Sequence, residues 1–89
     1  MEWLIIDVIY LRTTECYMLI LRSESLKMMA EVISETPVQP GDILYPVRDA
    51  IYLINKNENQ PAKAISASQF SATRWRFLQE SSQAFGNLK

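Results

Sequence analysis

The side chains of this chain that could make or break bonds are one cysteine, Cys16, a run of serines at Ser66, Ser68 and Ser71, and ten carboxylates. A serine or cysteine nucleophile needs a neighbouring base, most often histidine, and the 89 residues contain none. Cys16 opens the apolar run Cys16-Tyr17-Met18-Leu19-Ile20-Leu21, where a thiol packs as a small hydrophobe instead of reacting. Ser66, Ser68 and Ser71 read as capping residues. No spacing among the carboxylates singles out an acid–base pair. No ladder of Asp and Asn of the EF-hand kind is present to supply oxygen ligands to a metal. Two glycines are too few for a glycine-rich phosphate cradle. The chain is therefore expected to be no enzyme and to carry neither cofactor nor metal.

Contact chemistry is better represented. Trp75 is flanked by Arg74 and Arg76, residue types enriched in binding hot spots and equally suited to stacking on unpaired bases. On a helix, Arg76 and Glu80 are four apart and would form a weak surface pair. Arg74 falls within the stripe of Phe70, Phe77, Leu78, Ala84 and Phe85, the face expected to pack on the sheet. There Arg74 either lays its methylenes on apolar neighbours or pairs with a strand carboxylate, for which Asp7 is the candidate and Arg22 a competitor. Trp75 points away from that stripe, so it either makes a contact or tucks under a loop such as 55–60. Trp75, Arg76, Arg74 and Trp3 form the candidate interaction surface.

Net charge of −1 and a pI of about 5.3 provide no field for attracting phosphate, and phosphate binding draws most of its affinity from clustered Lys and Arg. The leading expectation is a non-enzymatic protein–protein interaction module with a protein partner not identifiable from the sequence. The alternative is a small single-stranded nucleic-acid-binding protein using Arg74, Trp75 and Arg76 with exposed tyrosines. No sequence feature points to a small-ligand pocket.

The elements that must position these residues are mostly strands. Residues 2–12 and 16–21 are rich in Ile, Leu, Val, Trp and Tyr and are separated by the polar Arg12-Thr13-Thr14-Glu15, the pattern of a hairpin. A two- or four-residue loop sets Tyr10 opposite Tyr17, Val8 opposite Leu19 and Ile6 opposite Leu21. The other face then holds Trp3, Ile5, Ile9, Leu11, Cys16, Met18 and Ile20, so both faces are apolar. Residues 25–35 fit either a helix or a strand, and the strand is favoured because it supplies the hairpin with a sheet neighbour. Pro40-Gly41 fits the centre of a type II turn. A second hairpin follows over 42–54, with Pro46 marking an edge or a bulge. Its Tyr45 and Tyr52 would pair as Tyr10 and Tyr17 do, which raises a duplicated hairpin as one reading and shared composition as the other. Residues 55–60 read as a solvated loop and 61–65 as a short last strand. Ser66 with Gln69 fits a capping box, Ile65 and Phe70 a hydrophobic staple, and Gly86 a helix end, so a helix is expected over about 67–85.

The expected class is α+β, mainly β. It is one domain over 1–89, a small antiparallel sheet or barrel of five to six strands (2–65) closed by one C-terminal helix, with ββαβββα and a helix at about 25–35 as the alternative. A hairpin apolar on both faces needs either barrel closure or a second subunit, and a homodimer is expected on that ground. The acidic start of the chain, the lack of a long apolar run and the single thiol lead to a cytoplasmic expectation with no membrane contact.

Overall fold

The computed structural model describes residues 1–86, with side-chain surroundings through residue 81. Six strands and one helix follow in order: β1 (Trp3–Leu11), β2 (Cys16–Ser23), β3 (Leu26–Ser34), β4 (Ile43–Arg48), β5 (Ile51–Ile54), β6 (Pro61–Gln69) and α1 (Ala72–Gly86). The strands close into an antiparallel barrel in the order β1-β2-β3-β6-β5-β4. The expected barrel with a C-terminal helix is thus the architecture observed, and 26–34 is strand, not helix. Its period of two settles the ambiguity, because both of its faces are used. Ala30 and Val32 enter the barrel core, while Met29 is buried in the layer outside.

Turn chemistry agrees with the sequence at two places. Leu11 pairs with Cys16, so the first loop has four residues, and Glu15 takes the left-handed conformation (φ 55°) that lets it close. The Asp42 amide donates to the Gln39 carbonyl at 3.1 Å around Pro40-Gly41, and Gly41 has φ 98°. Only a residue without Cβ accepts that angle at low cost.

Three bulges depart from simple alternation. Ile5 pairs with Leu21 and Asp7 with Ile20, leaving Ile6 unpaired in β1. Val47 is the extra residue of β4 and Ile65 that of β6. The first bulge corrects the expected pairing of Ile6 with Leu21. A single inserted residue reverses which face every earlier residue of the strand presents. Trp3 and Ile5 consequently join the barrel core with Val8, whereas Ile6 packs outside with Ile9. The expected cross-strand pair of Tyr45 and Tyr52 does not form, because the second hairpin turns at Asp49-Ala50, one residue later than expected, and Tyr52 lies opposite Pro46 and Tyr45 opposite Leu53. Only Tyr10 and Tyr17 pair, with ring centroids 5.1 Å apart.

Two apolar layers result. Inside the barrel, Ile5, Leu19, Val32, Leu44 and Ile54 are almost wholly removed from water, each contributing roughly 1.5–3 kcal/mol. Outside, Ile9, Met18, Ile20 and Met29 of β1–β3 are covered by Trp75 of α1, with Phe70 and Leu78 packed beside them. The apolar surplus that argued for a homodimer is therefore consumed within one chain. One face closes the barrel and the other seats the helix.

The helix begins later than expected because β6 runs on to Gln69. Ser71, not Ser66, is the cap. Its hydroxyl accepts the Arg74 amide at 3.2 Å and its carbonyl accepts the Trp75 amide at 2.9 Å. This shift rotates the inward face. Phe70 and Leu78 of the expected stripe do pack inward, but Trp75 is 5% exposed and Phe77 68% exposed, the reverse of the expectation for those two. The side chains of Ala84 and Phe85, and any capping role of Gly86, lie outside the described residues.

Candidate functional site

The barrel is unevenly sealed, and the uneven seams open an apolar concavity. β1 meets β4 through only two pairs, Trp3 with Leu44 and Leu4 with Ile43. β5 meets β6 through three, from Ile51 with Lys63 to Leu53 with Pro61. Beyond Leu44 on β4 and Ala64 on β6, each strand has a neighbour on one side only. A cavity of about 70 Å³ lies within the barrel wall at this level.

Its lining explains its existence. Leu21, Val32 and Leu44 form a fully buried floor. One wall is built from Ala30 of β3 with Ala64 and Ala67 of β6, three methyl side chains where larger ones would meet across the barrel. Ala30 lies opposite Ala67 in the β3–β6 ladder, so two small residues face the same space. Trp3, Met28 and Tyr52 are half-buried at the rim. Only Trp3 and Tyr52 carry a hydrogen-bonding side-chain group, so the space is overwhelmingly apolar.

Exposed apolar residues continue from this rim. Leu26 is 51% exposed and precedes Met28 by two residues on the same strand face. Val47, 53% exposed, is the bulged residue of β4, next to Arg48 and Asp49 before the turn into β5. A half-buried tryptophan and methionine, with exposed aliphatic residues on strands that reach the same end of the barrel, is the composition of a contact surface.

The four residues expected to form one surface are not together. Trp3 is at the barrel rim. Trp75 is buried beneath α1 against Ile9, Met18, Ile20 and Met29, and its indole Nε1–H has no hydrogen-bond partner. Trp75 is therefore a packing residue, and neither the expected contact nor the loop 55–60 accounts for it. Arg74 and Arg76 are exposed on the helix. Without an accessible indole between them, the stacking platform expected for unpaired bases does not form. The Arg74 guanidinium donates to Ser68 Oγ at 3.4 Å, and the Asp7 carboxylate accepts the Val8 amide at 2.9 Å, so the two do not serve each other. Cys16 is buried, its thiol directed to the Thr14 carbonyl at 3.2 Å. Among the described residues no group of three or more His, Cys, Asp or Glu is placed to hold a metal ion.

Sequence reasoning missed Met28, Tyr52, Leu26 and the three alanines. The local signals were Ala30 in the otherwise bulky β3 and the small-residue composition of β6. The convergence of the three alanines depends on the β3–β6 pairing, which no local pattern encodes.

Comparison with known proteins agrees with this architecture. Residues 1–76 match the model of the IraM/PmrD family. The signal transduction protein PmrD of Salmonella typhimurium is 40% identical over 80 residues, covering 88% of this chain and 94% of that protein. Its namesake from Escherichia coli K12 is 41% identical over 51 residues, 57% of this chain and 58% of that one. The crystal structure of E. coli PmrD superposes with a TM-score of 0.83 at 32% identity, covering 92% of this chain and 99% of its own. The solution structure of PmrD from Klebsiella pneumoniae gives 0.76 at 31% identity, covering 89% and 99%.

Proposed function

The chain belongs to the IraM/PmrD family, and on that premise we propose that it is a non-enzymatic regulatory protein of signal transduction that acts by docking a protein partner at the open end of its barrel. Relatives that cover most of the chain carry the name signal transduction protein. The observation that carries the choice of surface is the half-buried Trp3 at the mouth of an apolar cavity. A large ring at a partly desolvated rim can anchor an interface, while surrounding aliphatic residues exclude water from it. The exposed Leu26 and Val47 enlarge that apolar area, and Arg48 at the end of β4 and Asp49 in the turn provide a polar margin.

Catalysis has little support, because the chain has no histidine and its one thiol is buried. Nucleic-acid binding has less than it had from sequence, since Trp75 is buried. A cytoplasmic setting fits the unpaired cysteine. Among the described residues no helix is long and apolar enough to cross a membrane.

Photo-crosslinking in the native cell tests this reading. A benzophenone side chain at Leu26 or Val47 should yield a discrete adduct with another protein, and one at Arg76 should not. Adducts formed only from Arg76 would move the contact to α1. An adduct of twice the chain's mass would instead make the occupant a second copy, the homodimer.

A further inference from the structure

We propose that the cavity at the open end of the barrel is a receptor for one branched aliphatic side chain, of the size of Val, Leu or Ile, carried on the protein partner; this rests on the docking surface assigned above. Three observations select that occupant.

The first is chemical. The floor of Leu21 and Leu44 and the wall of Ala30, Ala64 and Ala67 offer no hydrogen-bonding side-chain group. A polar or charged group entering there would leave its hydration behind without replacement. Water itself gains little in such a space, because it needs several polar partners to be held.

The second is size. An engineered apolar cavity of about 150 Å³ accommodates a whole benzene molecule. The cavity here, about 70 Å³, is half that volume. Scaled accordingly, it takes about three carbon atoms, the branched end of an isopropyl or isobutyl group and less than an aromatic ring.

The third is thermodynamic and separates a partner's side chain from a free molecule. A ligand of so few atoms has too little contact to offset the entropy of its own capture. The same group fixed to a docked surface is presented at high effective concentration, and the rest of the interface bears the cost of association. Leu26 and the rim residues Trp3 and Met28 lie where such an interface would surround the entering group. The void has no evident structural use, since filling it would add dispersion contacts to the barrel core.

Two measurements on the full chain test the inference. Xenon dissolved under pressure is the first probe, read by methyl NMR. Saturable shifts are expected at Leu21, Ala30 and Leu44, with Met18 and Met29 of the outer layer unmoved. Absence of a saturable shift at the first three overturns the inference and leaves the docking surface untouched. The second measurement fills the cavity with Ala64→Ile or, on the more exposed position, Ala67→Leu. Whichever variant retains the wild-type fold by NMR should lose the xenon response and lose at least tenfold in partner crosslinking from Leu26. Crosslinking that persists unchanged in a filled, folded variant overturns the side-chain receptor. If the unfilled protein crosslinks only from Arg76, the docking surface itself fails, a result distinct from either outcome above.

Discussion

Leu21 of β2 lies opposite Ile5 of β1 while its neighbour Ile20 lies opposite Asp7, so Ile6 stands alone in a bulge. That bulge lets one strand serve two apolar layers. Val8 and Ile5 fill the barrel on either side of it, and Ile6 and Ile9 both pack outward beneath the helix layer. It also turns Trp3 toward the barrel mouth, so the candidate contact surface depends on a residue that never touches it.

Deletion of Ile6 should accordingly be far worse than truncation. Ile6→Ala removes a half-buried side chain and should cost about 1–2 kcal/mol. Deleting the residue forces Trp3 and Ile5 out of the barrel and should abolish cooperative unfolding. Thermal melts followed by circular dichroism compare the two, and a deletion variant that melts like Ile6→Ala would mean the bulge is dispensable.

Trp75 should behave as core. Trp75→Ala should destabilise by about 3–5 kcal/mol, the cost of a large buried ring. Trp75→Phe should cost much less, about 1.5 kcal/mol or below, because the indole Nε1–H forfeits no hydrogen bond. Urea denaturation measures both, and a stable Trp75→Ala protein would show that α1 contributes no packing.

Helix capping offers a sharp contrast between neighbours. Ser71→Ala should lose about 1 kcal/mol, since Ser71 Oγ accepts the Arg74 amide. Ser66→Ala and Gln69→Ala, both at exposed positions of β6, should stay within about 0.5 kcal/mol. Equal losses at Ser66 and Ser71 in chemical denaturation would contradict the observed helix start.

Partial filling of the barrel void should stabilise the fold. Ala64→Val adds two methyl-sized groups at a half-buried strand position lining the void. The gain should be up to about 1.5 kcal/mol, the magnitude associated with closing a cavity of this volume. A lower melting temperature would mean that the space cannot accept the branched side chain without strain.

Much of this molecule is written in short stretches of its chain. The strand at 26–34 needed the hairpin's demand for a sheet neighbour to decide it, whereas the strand pairing of Tyr10 with Tyr17 and the Pro40-Gly41 turn follow from preferences acting over a few residues. So does the absence of the usual catalytic toolkit, which needs only the residue types. Closure of the barrel was legible more weakly, from a hairpin with two apolar faces and a shortage of elements to cover them.

The site was not legible in the same way. Alternation along a strand tells which residues share a face, and a bulge at Ile6 reverses the assignment for everything before it without any mark of its own in the sequence. The helical period tells which residues share a stripe, but the stripe that turned inward followed from Ser71 serving as cap, and β6 had first to run on to Gln69 beside β3. Trp3 and Trp75, both expected at the interaction surface, thereby part: the strand tryptophan lies at the rim and the helix tryptophan is core. The cavity needed still more, because Ala30, Ala64 and Ala67 come together only through pairing between strands some thirty residues apart. Local backbone preferences act within a turn or a strand, whereas which side chains share a space is set by how the sheet closes.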